Sequence, residues 1–437
     1  SIGPEYTHPD AVVESNWIEK DSGELNTGHQ TAPRWWSEAF GDAELDRLVS
    51  MAFNQNLTLR SAALRVLQAQ QQLAIAFGSQ FPQQQQATGS ASRQEEITLT
   101  FNQYKLGFNI GWELDLWGRF RDQVKSASAT LDASIAAYDG ALISLVSQVA
   151  QNYVLIRTYQ QRLKVARQNI ALQETSWRIA RAKFEAGEVS RLDLDQADSL
   201  LNNTKASVPA LETTLQQLKN GLAILLGKPP GNFNALLIQE QDIPVTSTSI
   251  AIGMPQDLLR RRPDIRLAER QLAAQSAQIG FAMTELYPHL TIGGSIGTSA
   301  VNRSDLFTHD SRNWRLFGMF EWNILNYGRL KSNVRLQDAL FQQLLVDYRN
   351  TVLEAQGDTE NAFVAYLKSH EQMAFYKAAA KASQQAVNTA SIQYTEGAIT
   401  FNWLISILNE NLQQQDLLAE VRGSTATDLI RVYKALG

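Results

Sequence analysis

The sequence predicts a membrane protein of mixed α/β class: two repeats of very long α-helices, each carrying a β-hairpin that completes a barrel only between chains. Three observations predict it. Apolar residues alternate over 104–114, a heptad seam runs for about sixty residues beyond Gly118-Arg119, and both features recur at a constant offset.

In the first stretch Tyr104, Leu106, Phe108, Ile110, Trp112 and Leu114 alternate with Lys105, Gly107, Asn109, Gly111 and Glu113. A period of two gives a strand one apolar face and one wet face. Upstream, residues 1–34 hold Gly3-Pro4, Pro9, Gly23, Gly28 and Pro33 among polar residues and read as an extended arm. Trp35-Trp36, Phe40, Leu45, Leu48 and Val49 bring the first helical spacing. A Gln- and Ala-rich helix from Leu57 to Phe77 ends at Phe81-Pro82, followed by a weak polar strand from Gln83 to Ser92 and an Ile97, Leu99, Phe101 alternation.

From Val124 to Phe184 apolar residues recur about every 3.5 positions, the period of a left-handed coiled-coil seam, and at ~1.5 Å per residue the helix spans on the order of 100 Å. Gly187 is the expected C-cap and Ser190 the N-cap of a returning helix. Pro209 is expected to kink or split that helix, and Leu226 to Gly231 to stop it. Arg260-Arg261-Arg262-Pro263-Asp264 opens the next one.

The plan then repeats. Gly397 minus Gly187 is 210, and the same offset carries Tyr104 to Trp314, Trp112 to Trp322 and Ser190 to Thr400. Phe81-Pro82 matches Tyr287-Pro288 at 206, so the second hairpin tip is expected to be four residues longer. The predicted organisation is an arm and helix over 1–54, a first repeat over 55–231, a linker over 232–260 and a second repeat over 261–437. Within the repeats the hairpins fall at about 81–114 and 288–324, the long helices at about 119–185 and 329–395, and the return helices at about 190–226 and 400–435.

Composition narrows the function. A net charge of −5 and a pI near 5.7 supply no basic stripe for a nucleic-acid partner. Cysteine is absent, which removes disulfides, thiol catalysis and Cys-ligated zinc. His8, His29, His289, His309 and His370 are scattered without ligand spacing, so neither metal nor cofactor is expected. Catalytic motifs of the GxSxG, P-loop and HExxH types are missing, so no enzyme is expected. No eighteen-residue apolar run predicts a transmembrane helix, whereas barrel strands are short and only alternately apolar.

Two hairpins give four strands, and about eight is the practical minimum for closure. An open edge in lipid leaves amides unpaired, so the chain must oligomerise: a dimer gives eight strands and a trimer twelve. The alternation turns Tyr104, Leu106, Phe108, Ile110, Trp112, Trp314, Leu316, Phe320 and Trp322, with Leu114 and Ile324, toward lipid. Lys105, Asn109, Glu113, Arg315, Glu321 and Asn323 face a wet lumen. The plainer reading, a soluble sheet packed on helices, leaves unexplained why both hairpins run straight into rods.

Gly3-Pro4-Glu5-Tyr6, Trp35-Trp36 through Asp42, Trp112 through Arg119, Ala186-Gly187 through Asp193, and Asp257 through Ile265 together resemble the TolC-type outer membrane factors, most closely the OprM-like subgroup. The resemblance implies a homotrimer with a twelve-stranded barrel in outer-membrane lipid, continuous with a coiled-coil tunnel in the periplasm. It also implies a periplasmic adaptor and an inner-membrane transporter as partners, and drugs, detergents or bile salts as cargo. A type I secretion or metal-efflux duct and a non-conducting scaffold are the alternatives. Such proteins commonly carry an acylated cysteine before the Gly-Pro-Asp/Glu-Tyr motif. Here the numbering begins at Ser1, so either the numbered chain starts after that residue or the anchor is absent.

By the same resemblance, the turns Gly187, Glu188, Val189, Ser190 and Gly397, Ala398, Ile399, Thr400 form the adaptor-contacting, closed mouth. A gate bond is expected between Asp193 and Tyr394, and three copies of Asp193 or Asp195 would repel one another or share a cation. The plainer reading makes both acids helix-start groups that complement the dipole. Ile399, Trp403 and Ser406 depart from the family's charged pattern, so an apolar or hydrogen-bonded constriction at Asn402, Trp403 and Ser406 competes with a charged one.

Overall fold

The computed structural model describes residues 1–19, 22, 25–26, 34–96, 99–231, 241–244 and 250–437. Gly23, Gly28, His29, Pro33, Ile97 and about half of the linker expected over 232–260 (232–240 and 245–249) lie outside the described residues.

In chain order the elements are β1 (Leu25–Asn26), α1 (Trp35–Phe40), α2 (Ala43–Gln55), α3 (Leu57–Gly78), β2 (Gln84–Glu96), β3 (Leu99–Glu113), α4 (Arg119–Glu185) and α5 (Arg191–Leu225). There follow β4 (Ile250–Ala251), α6 (Leu258–Arg261), α7 (Pro263–Thr284), β5 (His289–Ala300), β6 (Arg312–Glu321), α8 (Arg329–Thr395) and α9 (Phe401–Leu436). Both α4 and α8 are 67 residues long, about 100 Å each at 1.5 Å per residue.

Two compact units divide these elements. The first comprises Ser1–Val12, Ala62–Tyr138 and Pro263–Val352. It holds an antiparallel sheet of order β2-β3-β5-β6. Helix α7 meets α4 and the N-terminal arm through polar contacts: Gln278 Nε2 donates to Ser126 Oγ at 2.8 Å, and the buried Glu269 accepts from Tyr6 Oη at 2.7 Å.

The second unit comprises Val13–Ser61, Asp139–Arg262 and Leu353–Gly437. Its core forms because the apolar stripes of α2, α4 and α9 are broad enough to bury Leu45, Leu48, Val149, Leu429 and Ile430. Aromatic side chains fix the neighbours: Trp35 stacks on Tyr433 at 4.9 Å, and Trp17 donates its indole N–H to the Gly253 carbonyl at 3.0 Å. Tyr153 Oη donates to Asp42 Oδ2 at 2.6 Å, while Asp42 also caps α2 through the amides of Glu44 and Leu45. Burial, then the Asp42 carboxylate, holds the Tyr153 hydroxyl far above its ordinary value.

Four expectations need correction. Pro209 sits inside α5 without splitting it, on the exposed side of a helix that runs unbroken from Arg191 to Leu225. Strand β6 ends at Glu321, so Trp322 and Ile324 lie just beyond it. The hairpins also shift the repeat register. Gln84 faces Gly111 and His289 faces Glu321, so with β3 and β6 offset by 210, β2 and β5 are offset by 205. The second tip is therefore five residues longer, not four, and one residue is missing ahead of β5. Finally, α4 contains an eighteen-residue window of mean hydropathy 1.3, long and apolar enough by composition to cross a bilayer. The window belongs to a helix more than three times the ~20 residues a bilayer needs, and 39% of it is buried against other protein.

Candidate functional site

The sheet separates its faces as a bilayer requires. Directly opposed residues share a face, and Phe108, Ile296 and Trp314 form one outward row across three strands. Trp314 is 79% exposed, Leu316 73% and Phe320 72%, with Leu106, Phe108, Ile110 and Trp112 also open and Tyr104 half-covered. Large apolar side chains this exposed mark a face that meets a membrane or another protein. The opposite face carries Lys105, Asn109 and Arg315, with Thr88 Oγ1 accepting from Asn109 Nδ2 at 3.3 Å. On that face Gly293 makes room for the Phe317 ring, over which the Arg315 guanidinium sits at 5.0 Å.

Where strands give way to helices, tryptophans tie the sheet to the preceding helix ends. Trp112 Nε1 donates to the Gln80 carbonyl at 3.2 Å, and Trp322 Nε1 donates to the Leu286 carbonyl at 3.0 Å. Trp117 stacks on Tyr287 at 4.8 Å and donates to the Pro288 carbonyl at 2.8 Å. Behind them Arg119 bridges Glu113 at 3.0 Å and Glu285 at 3.2 Å, and His289 Nδ1 lies 2.9 Å from Glu113. Sequence reasoning missed this cluster, because Glu113 and Glu285 lie 172 positions apart; the alternation placed Glu113 on the wet face, which was the available signal.

In the second unit, the turns between α4 and α5 and between α8 and α9 share one geometry. Gly187 has φ +76° and Gly397 φ +79°, both left-handed. The amides of Gly187 and Glu188 donate to Phe184 and Lys183, and those of Gly397 and Ala398 to Tyr394 and Gln393. Each pair is a Schellman closure, which glycine permits at little strain. Val189 and Ile399 follow; Ser190 caps α5 through its side chain, while Thr400 holds the N-cap position of α9 with no side-chain hydrogen bond. Beneath the turns Ala180, Ala197, Val387, Ala390, Tyr394, Phe401, Leu404 and Leu408 form a buried cluster, with Ile399 packed against it.

The expected bond between Asp193 and Tyr394 is not made. Asp193 Oδ2 accepts from the Ser190 amide at 2.9 Å and from Ser190 Oγ at 2.8 Å, closing a capping box on its own helix. The buried Tyr394 hydroxyl has no partner, and its ring lies 5.2 Å from Phe401 and under the Lys183 ammonium at 5.5 Å. Burial first, then the charges of Asp193 and Glu188, pushes that hydroxyl up to about 12. Asp195 pairs with Arg191 at 2.9 Å on the exposed side of α5. Asn402, Trp403 and Ser406 lie together on the open side of α9, with Trp403 65% exposed. Among the described residues no group of three or more acids and histidines is arranged to hold a metal.

Comparison with known proteins agrees with this arrangement. The family model described as outer membrane efflux protein matches residues 48–228 and 254–437. The pyoverdine export outer membrane protein OpmQ of Pseudomonas putida is 30% identical, over 92% of this chain and 87% of its own length. Nodulation protein T of Rhizobium leguminosarum bv. viciae is 29% identical, over 100% of this chain and 90% of its own. Among solved structures the outer-membrane channel OprN superposes with a TM-score of 0.94 at 30% identity, covering 100% of this chain and 98% of that one. A sheet with a lipid-type face, helices of 67 residues and a family match over both halves lead to one assignment: the chain belongs to the outer membrane efflux protein family.

Proposed function

We propose that three copies of this chain close a twelve-stranded barrel in the outer membrane, with the long helices forming a duct that passively carries exported small molecules across the periplasm. One observation carries the reading: the sheet β2-β3-β5-β6 has an apolar outer face and two unpaired edges. In hydrocarbon each unpaired amide is unfavourable by several kcal/mol, so β2 and β6 must be covered by other copies. Eight strands from two copies would leave an interior only wide enough for side chains, whereas twelve leave room for water and cargo. Matching element order in the two halves of the chain supports reading them as repeats, which makes the ring pseudo-sixfold.

In this reading Gly187 to Ser190 and Gly397 to Thr400 present the end that meets a periplasmic adaptor, which in turn joins an inner-membrane transporter. Asn402, Trp403 and Ser406 line the narrowest part, and Trp403 makes it apolar. One relative is named for pyoverdine export and another for nodulation, so a shared duct with specificity set by its partners fits best.

Planar-bilayer recording of the purified oligomer tests conduction: discrete conductance steps are expected, and a silent bilayer with correctly inserted protein would reduce the molecule to a scaffold. Deleting the gene and measuring susceptibility to antibiotics, detergents and bile salts tests the cargo; unchanged resistance to all three overturns drug export.

A further inference from the structure

Within one chain β3 of the first hairpin pairs with β5 of the second, from Tyr104 opposite Ala300 to Glu113 opposite Thr291. The free edges β6 and β2 stand in the same relation with the repeats exchanged. Replacing β3 by β6 at an offset of 210, and β5 by β2 at 205, converts the internal ladder into a ladder between copies. The geometry points to a specific seam: Trp314, Leu316, Gly318, Phe320 and Trp322 of one copy lie opposite Glu95, Arg93, Ala91, Gly89 and Ala87 of the next. At the foot of that seam Tyr327 stacks on the partner's Phe81. This inference rests on the closed-barrel reading and adds the register and the anchor.

Three observations support the seam. In that register Phe320 and Trp322 lie over Gly89 and Ala87, as Ile110 lies opposite Gly294 in the internal ladder, while the small Gly318 meets Ala91 and the far end pairs Leu316 and Trp314 with Arg93 and Glu95. Aromatic side chains laid over small cross-strand neighbours pack without strain.

Next, the internal joint has an unfilled counterpart. Trp117 stacks on Tyr287 and donates to Pro288. Its equivalent, Tyr327, is 98% exposed, and the equivalent of Tyr287, Phe81, is 54% exposed.

Last, Tyr327 is the one non-glycine residue at positive φ among those described, at +50°. A bulky residue held there is strained, and its side chain, 98% exposed, gains little packing within one chain to offset that strain. Stacking on a neighbouring copy supplies the missing contact. The charges of the internal joint do not recur, since Glu113 and Glu285 correspond to Asn323 and Ser79; aromatic packing rather than ion pairing holds the joint between copies.

The natural absence of cysteine makes the register directly testable. In the proposed ladder Met319 lies opposite Ser90 on the inward face. Carrying M319C and S90C together, the purified detergent-solubilised protein should oxidise to covalently linked, SDS-resistant oligomers at least ten times more efficiently than M319C with T88C or with S92C. Diagonal positions lie about 7–8 Å apart, beyond disulfide reach. Tyr327→Ala should lower the temperature at which the oligomer dissociates in SDS, and Tyr327→Phe should retain it. An oligomer in native mass spectrometry with a better yield from a shifted pair overturns the register and leaves the barrel standing. Single copies in native mass spectrometry overturn the barrel itself. Y327A oligomers as heat-resistant as wild type overturn the anchor.

Discussion

Arg162 and Asp416 join α4 to α9 through two parallel hydrogen bonds, Nε to Oδ1 and Nη2 to Oδ2, both 2.8 Å. The pair is partly covered and lines an open cleft of about 460 Å³ with Tyr159, Leu211 and Gln413. A bidentate pair in this setting should show a coupling of about 1–3 kcal/mol. A double-mutant cycle of Arg162→Gln and Asp416→Asn, read by denaturant unfolding in detergent, checks it; a coupling near zero would mean that solvent screens the pair completely.

Tyr394→Phe removes a buried hydroxyl that has no partner. The variant should be unchanged or about 1 kcal/mol more stable, because an unpaired buried polar group is unfavourable. Resting conductance should match wild type, since no gate bond is lost. The pH dependence has a definite sign. The hydroxyl's folded value of about 12 lies above the ordinary 10.0, so its contribution is intact below pH 10 and is lost as pH rises toward 12. Stability curves over pH 9–12 should therefore fall less steeply for Tyr394→Phe than for wild type.

Trp314, near the start of β6, and Trp322, one residue past its end, sit eight residues apart in the sequence. At about 3.3 Å per residue they are separated by roughly 26 Å along the strand, comparable to the ~25 Å apolar band of membrane barrels. Each, studied as the sole tryptophan on that face, should be quenched most strongly by lipids brominated near the headgroup. Strongest quenching of either by lipids brominated at the chain end would remove the band from its assigned place.

Gly187→Ala and Gly397→Ala should each destabilise by about 1 kcal/mol through backbone strain alone, since an added Cβ at either site meets nothing within 4 Å. Asparagine at the same positions, which tolerates the left-handed region, should recover part of the loss. Equal losses for alanine and asparagine would argue that the side chain, not the backbone, is at fault.

What the sequence made legible follows from where the information lies. Strand β3 was readable because Tyr104 to Leu114 carry both members of each alternating pair, and the turns because positive φ demands Gly187 and Gly397. Strand β2 was only half readable: its face of Gln85, Ala87, Gly89 and Ala91 is small rather than apolar, so the amplitude of the alternation is low. The gate bond failed for a different reason. Asp193 has a competing partner three residues away in Ser190, and local capping wins over a tyrosine 201 positions distant. The unpartnered Tyr394 hydroxyl and the Glu113–Arg119–Glu285 bridge depend on packing between distant helices and strands, which periodicity cannot register.

The five extra residues at the second hairpin tip and the one missing ahead of β5 are both odd changes, and a slip of one within a strand turns every side chain inside out. The chain has absorbed both changes in its connections, leaving Ile292 and Ile296 on the oily side. Length is thus negotiable in the connections of this sheet and forbidden along its strands, and the loop over 301–311 is the place where foreign sequence can be grafted without disturbing the register.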